Sequence, residues 1–432
     1  MRMIPIQILM LSAQKNKCYA TKDKPDFWDS VIPQKIHDRP RQIRHATWAT
    51  RTLFAALGVV SAAWGVHIPS VKAHYGLGEA ALSLVLVAAA SGAVLALFFA
   101  GRVIGRLGAR NAAALCALVM AFSLGMALHW PSFGLLLLSM VAFGSSLSVY
   151  DVAINTEGTA LEIAGQRAIM GGLHGMFSVG GMAGAALASG LLRAQVSAAW
   201  QLAGVGLCVG LWVLVVSRWM LPTAPQVQAS SQQPAHFAWP RGVLLVIGLL
   251  IFAGMSAEGA MYDWCVLYLQ QELHMPQDQA ALGYAAFSGA MAAMRFAADG
   301  LRARWPEQLL LRASGATAAT AMALVLLSGS PWGSVAGYAL VGAGLAMVVP
   351  ILYGAASRVP GTTPAAAIAA VSSIGYCGFM VGPPLIGAIA QHLSLTAALG
   401  VVVLAAGTLA SFAHRVPDKI PQGARRQPLA PA

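Results

Sequence analysis

Twelve apolar runs of about twenty residues, broken by short polar turns, dominate this chain of 432 residues. They fall at roughly 48–70, 82–101, 111–129, 133–155, 167–192, 198–219, 241–269, 280–300, 309–328, 332–357, 363–391 and 394–414. A helix rising 1.5 Å per residue needs about 20 such residues to cross a bilayer core. Backbone polar groups find no water there, so only helices and closed barrels span. Runs of this length are too long for barrel strands and predict helices. Charged residues make up 10% of the chain, against about 25% in soluble domains, which excludes an ordinary water-soluble fold. The 45 glycines suit packing in lipid, where small residues let helix backbones approach closely. The expected architecture is an all-α membrane protein of twelve transmembrane helices in two pseudo-symmetric six-helix bundles.

The basic residues test that count. With the N-terminus inside, the inner turns carry Arg102, Arg106 and Arg110, then Arg167, then Arg218 and Arg241, then Arg302 and Arg304, then Arg358. The leading segment adds Lys15, Lys17, Lys22, Lys24, Lys35, Arg39, Arg41 and Arg44, and the tail adds Arg415, Lys419, Arg425 and Arg426. The opposite side offers Lys72 and Arg193 alone. This asymmetry predicts a multi-pass protein of a bacterial cytoplasmic membrane with both termini in the cytoplasm. It also explains the net charge of +12 without a nucleic-acid partner: the basic residues are sorted by membrane side. The partners expected are a small-molecule substrate, a proton and the lipid bilayer, for a protein acting as a monomer.

Residues 1–46 are polar, basic and proline-punctuated after a brief apolar start that does not read as a signal peptide. They are expected to form a disordered cytoplasmic extension. Two bundles follow, 47–220 and 241–414, joined by a polar cytoplasmic linker at 221–240 and closed by a tail at 415–432. Residues recur between them at an offset of 200: Trp64 with Trp264, Arg102 with Arg302, Gly144 with Gly344. Gly172, Gly175 and Gly184 match Gly375, Gly378 and Gly387 at 203. Such recurrence marks a duplicated unit, here a parallel repeat about the membrane normal. The five cysteines are scattered and form no metal or disulfide pattern. No cofactor or metal site is expected, and no hydrolase or metalloenzyme motif is present, so the chain reads as a transporter rather than an enzyme.

The turn after span two reads Gly101-Arg102-Val103-Ile104-Gly105-Arg106-Leu107-Gly108-Ala109-Arg110. It resembles the cytoplasmic signature of the major facilitator superfamily, G-x-L-x-D-R-x-G-R-K/R. Gly101, Arg106, Gly108 and Arg110 match, whereas Gly105 stands where the family has an acid. The resemblance implies a cytoplasmic gate built on these residues, with the family's acidic latch missing. In the second half Ala303-Arg304 stands at the corresponding place. The segments Asp151–Gly158, His174–Gly180, Ala257-Glu258-Gly259 and Val381–Gly387 resemble a bacterial subgroup of inner-membrane permeases, distantly similar to fucose-type sugar permeases. The resemblance covers about 48–414 and implies the facilitator fold and secondary transport by alternating access.

Ionisable groups at the centre of a spanning helix cost at least ~2.5–3.5 kcal/mol each, so they usually face a cavity and work there. Glu258 lies three residues past the centre of span seven, about 5 Å from the midplane, and is the expected site of proton coupling. A structural hydrogen bond is its simpler reading. Asp263 is the second candidate, or else a partner for a Tyr, Trp or Arg. Asp151 and Asn155, spaced i, i+4, share a face of span four. They are expected to latch onto turn arginines or to touch solute. For His174 the simpler reading is a buried, hydrogen-bonded histidine, the sharper one a proton relay. Arg295 and Asp299 are expected to pair within span eight. Tyr262, Trp64 and Trp264 are expected to line a solute pocket, with Tyr150, Tyr284 and Tyr376 as further candidates. Trp130, Trp219, Trp239 and Trp332 fit interfacial anchors. Span five lacks the Gly-Pro pair of the family's antiporters, so uptake is expected over efflux or uncoupled facilitation.

Overall fold

The computed structural model describes residues 33–167, 169–221 and 241–418. The leading residues 1–32, the linker 222–240 and the tail from 419 lie outside the described residues. The chain divides into a unit of residues 1–45 and a unit of residues 46–432, and the bundle is the second. No strand occurs among the described residues.

Span one belongs to the helix Pro33–Tyr75. Residues 33–46, the last part of the expected extension, are helical. The segment from Arg41 to Thr47 carries no glycine or proline. Propagation from an existing helix is cheap where nucleation is not. Spans two and three share the helix Glu79–Met126, divided at Gly108, where φ is +77°. Only glycine takes that value without strain, which gives the second glycine of the signature a backbone reason. Straight, 48 residues would extend about 72 Å. Instead the Tyr75 hydroxyl donates to the carbonyls of Ala127 at 3.1 Å and Trp130 at 3.0 Å. The far end of this helix therefore returns beside its own start. Spans four to six are Phe133–Gly165, Met170–Arg193 and Ala198–Val216. Spans seven to nine are Val243–Gln271, Gln277–Arg304 and Glu307–Ser328. Span ten is Pro331–Leu345 with Val348–Ala356, and Pro364–His392 and Leu395–Phe412 complete the twelve.

Alternation along the chain puts Arg102, Arg106, Arg110, Arg218, Arg302, Arg304, Arg358 and Arg415 at one end of the bundle, the basic end. Lys72 and Arg193 lie at the other, the far end. Leu95, Phe98, Phe122, Leu138, Leu327 and Leu404 are each more than half exposed, an apolar surface that lipid tails cover. Trp219 and Trp332 stay exposed at span ends.

Glycines set the helix spacing within each half. A Cβ on Gly144 would lie 1.8 Å from the Ala89 carbonyl oxygen, and one on Gly342 would lie 2.1 Å from that of Phe287. These equivalent contacts, spans four on two and ten on eight, stand 198 residues apart at both partners. Gly180 on Ala55 and Gly378 on Phe252 make the corresponding crossing for spans five and eleven, 198 apart at the glycines and 197 at their partners. The repeat offset is thus 198, not 200 or 203. Those identities are matches of single residues, whereas a backbone crossing fixes two positions at once. At 198 the counterpart of Trp64 is Tyr262, not Trp264, and Gly105-Arg106 corresponds to Ala303-Arg304.

Gly144→Ala is expected to lower unfolding stability by about 3 kcal/mol or more, as overpacking against rigid backbone does. Gly134→Ala on the same helix, where a Cβ meets nothing within 4 Å, should change little. Thermal unfolding of the two variants in detergent makes the comparison.

Candidate functional site

Glu258 lies midway along span seven and is buried. A carboxylate there needs a partner, and span eight supplies it. Arg295 Nη2 stands 3.1 Å from Glu258 Oε1. The same guanidinium donates through Nη1 to Ser178 Oγ at 2.7 Å and to the His174 carbonyl at 3.4 Å, both on span five. One planar fork therefore joins two helices of the second half to one of the first, a use that suits arginine and not lysine. Small residues allow the reach: a Cβ on Gly175 would press 2.7 Å from the Phe296 ring.

This corrects the intrahelical Arg295–Asp299 pair. Asp299 is exposed and water satisfies it, whereas an unpaired buried carboxylate is costly. The acid N-terminal to the base is also the better order in a helix, and here the order is reversed.

One turn toward the far end, Tyr262 roofs the ion pair. Its hydroxyl lies 3.5 Å from Met291 Sδ. Its ring meets Phe287 edge-on at 5.2 Å, Phe177 edge-on at 6.2 Å and Tyr284 tilted at 5.4 Å. The buried Tyr284 hydroxyl and Ser288 Oγ have no hydrogen-bond partner among the described residues. Asp263, half-buried, makes no hydrogen bond or ion pair among the described residues, so the expected Tyr, Trp or Arg partner is not found. His174 is exposed and meets Phe54 edge-on at 5.3 Å. The buried, hydrogen-bonded histidine is therefore corrected to one bordering open space.

Asp151 and Asn155 lie half-buried on span four. Asn155 Nδ2 donates to Asp151 Oδ1 at 3.0 Å and to its carbonyl at 2.9 Å. No turn arginine pairs with Asp151 among the described residues. The nearby acids are used locally instead. Glu162 accepts the backbone N–H groups of Ile169 and Met170, capping span five, and Glu157 accepts that of Leu221. Trp64 and Trp264 are corrected to core residues. Trp64 packs on Phe143 at 6.0 Å within its own half, and Trp264 is 0% exposed. Tyr150 is likewise core, donating to the Leu53 carbonyl. Tyr262 and Tyr376 keep accessible surface.

At the basic end Gly101 and Arg106 are exposed and Arg110 half-buried. None of these arginines forms an ion pair among the described residues, and Arg102 sits over the Phe99 ring at 5.9 Å. The second half differs. Arg302 bonds Glu307 at 2.8 Å, Arg358 pairs with the same carboxylate, and the Glu307 N–H donates to Asp418. Sequence reasoning missed Glu307. Its one signal was an acid starting a helix amid four arginines.

Opposite, the far end is sealed. Gln277 Nε2 donates to the Val66 carbonyl and Ser70 Oγ at 2.9 Å each, and Ser189 Oγ donates to the Asp278 carbonyl at 2.6 Å. Arg193 stands 3.5 Å from Asp278. The bundle is thus closed at one end, while Tyr262, Asp263 and Arg295 at its centre keep accessible surface.

Residues 52–365 match the family model described as Major Facilitator Superfamily. The chain belongs to the major facilitator superfamily. Membrane protein MosC of Rhizobium meliloti is 33% identical over 379 residues, covering 88% of this chain and 91% of that protein. An uncharacterised MFS-type transporter of Yersinia pestis is 32% identical over 371 residues, covering 85% and 95%. Among solved structures, a D-xylose–proton symporter superposes with a TM-score of 0.69 at 14% identity, covering 87% of this chain and 98% of that one. A variant of the nucleoside transporter NupG gives 0.68 at 15%, covering 84% and 98%. These two establish the facilitator fold alone.

If the ion pair holds this facilitator's centre together, Arg295→Gln leaves Glu258 buried without a partner and should cost about 3 kcal/mol. Glu258→Gln combined with Arg295→Gln should recover much of that loss. Thermal unfolding of the two single variants and the double variant gives the coupling, and additive losses would remove the pair from the account.

Proposed function

We propose that this protein is a secondary active transporter that takes up a small solute across a bacterial cytoplasmic membrane, coupled to protons through Glu258. The observation that carries this reading is the Arg295 fork, which links Glu258 in one half to Ser178 in the other. An ionised Glu258 holds the guanidinium. A protonated one gives up the charge–charge attraction, and the fork is then held by Ser178 and the His174 carbonyl alone. Proton occupancy at one carboxylate thereby changes how strongly the halves are tied near the midplane. Tyr262, one turn along the same helix, carries the change to the aromatic roof. The second candidate acid, Asp263, stands nearer the far end.

The basic end is assigned to the cytoplasm, since the arginines gathered there follow the positive-inside rule. The far-end seal then makes this an inward-facing arrangement. The two halves rock about the central site, and opening the far end requires breaking the contacts of Gln277 and Asp278.

Two measurements test this reading. A reporter fused after Ala432 should be active in the cytoplasm of a bacterial host, and periplasmic activity would reverse the topology. Once a binding solute is found by thermal shift, Glu258→Gln should abolish protonophore-sensitive accumulation in vesicles while leaving solute exchange partly intact. Undiminished uphill accumulation in that variant would take Glu258 out of the mechanism.

A further inference from the structure

The two carboxylates at mid-depth on spans four and seven differ in one respect. Asp151 stands 14 residues from the basic end of its helix and Glu258 stands 15 from that of its own. By helical rise both lie about 21–22 Å in. Glu258 has Arg295 as counter-charge. Asp151 has no cation among the described residues, although it is half-buried in the same low-dielectric setting. An ionised carboxylate so placed calls for a cation or a proton.

The hydrogen-bond inventory around Asp151 narrows the choice. Asn155 Nδ2 places its two N–H groups on Asp151, one on the carbonyl and one on Oδ1. The amide therefore has no donor left, and its Oδ1 remains an acceptor. Asp151 Oδ2 accepts no bond among the described residues. Across the bundle, on spans ten and eleven, Tyr353 and Tyr376 lie near enough to interact electrostatically with Asp151. Both keep accessible surface. Ser372 Oγ donates to the Tyr353 hydroxyl at 3.0 Å, which pins that ring. Such a place holds two unfilled acceptors, a negative charge and two aromatic rings. A group with several N–H donors and a positive charge fits it, and ring faces attract such a charge. A carboxylate or phosphate would meet Asp151 unscreened. A neutral polyol would leave its charge unanswered.

We infer that the Asp151–Asn155 face of span four, with Tyr353 and Tyr376 opposite, binds the ammonium group of a small organic amine. The transported solute is then a cation. This rests on the transport reading above and adds the substrate class to it. The site draws on both halves, so it is assembled and taken apart as they rock.

Thermal shift of the purified full-length protein at pH 7 tests it, with three probe sets: small organic ammonium ions, neutral polyols and carboxylates. Stabilisation is expected from ammonium compounds. Asp151→Asn is nearly isosteric and mimics a protonated acid, so it should weaken that binding at least about tenfold. Asp151→Glu should retain part of it. Tyr376→Leu, which leaves the carboxylate untouched, should weaken it about threefold. The inference is overturned if no ammonium compound stabilises the protein or if polyols or carboxylates do so instead. Full binding in Asp151→Asn, which would mark a proton site only, overturns it too, as does full binding in Tyr376→Leu. Should ammonium binding depend on Asp151 while accumulation ignores a protonophore, the coupling reading fails and this one stands.

Discussion

Helices in lipid gain nothing from burying apolar surface against one another, because the lipid tails are equally apolar. What remains is close contact, and in this protein glycine supplies it. The tightest approaches to backbone oxygen, at 1.8–2.2 Å for an imagined Cβ, are Gly58, Gly92, Gly144, Gly180 and Gly342, and each lies within one half. Between the halves the pattern changes. Gly65, Gly175, Gly181, Gly289 and Gly387 meet side chains first: the rings of Tyr284 and Phe296, Ser288 Oγ, Met182 Sδ and Ser83 Oγ. Backbone against backbone leaves no freedom to shift, whereas side chains can change rotamer. The closest backbone crossings thus lie inside the six-helix halves, and these glycines between the halves meet side chains first.

That distinction also explains what could be read from the chain alone. Span number, direction and ends follow from apolar length and arginine placement, which act locally. The charge partner of Glu258 does not, because it depends on which face of span eight meets span seven. Local spacing suggested Asp299 for Arg295. Burial decided otherwise, since water satisfies the exposed acid at no cost and Glu258 has no such recourse. The Trp64–Trp264 match misled for a related reason. Identity at a fixed offset looks like shared function, but the helix contacts set the offset at 198. The aromatic residue that faces the ion pair is Tyr262, while Trp264 is sealed in the core.

The basic end shows how far the halves have diverged while keeping one backbone plan. Gly105-Arg106 and Ala303-Arg304 occupy equivalent turns, and neither has the acid that the superfamily signature places there. In the second half Glu307 takes over from outside the motif, gathering Arg302, Arg358 and, through its N–H, Asp418. In the first half Glu157 holds the chain leaving span six through Leu221, and Arg102, Arg106 and Arg110 are left without ion pairs among the described residues. The charge cluster of the second half ties its own helices together, so it stiffens that half and leaves the passage between halves unlatched. A bundle sealed at the far end and unlatched here is consistent in its parts.

Span eight brings these threads together. Among the described residues, ten helices are long and apolar enough to cross a membrane. One of them, Glu79–Met126, crosses twice, and the crossing absent from that set is Gln277–Arg304. It falls short because it carries Gln277, Asp278, Arg295, Asp299, Arg302 and Arg304. Among the described residues, the side-chain hydrogen bonds and ion pairs between the halves all involve this helix, through Gln277, Asp278 and Arg295. Polarity inside a membrane is costly, and here it is concentrated on a helix that packs against the other half. A low hydropathy that argues against a span when taken by itself is, in this bundle, the mark of the helix that carries the polar contacts between the halves.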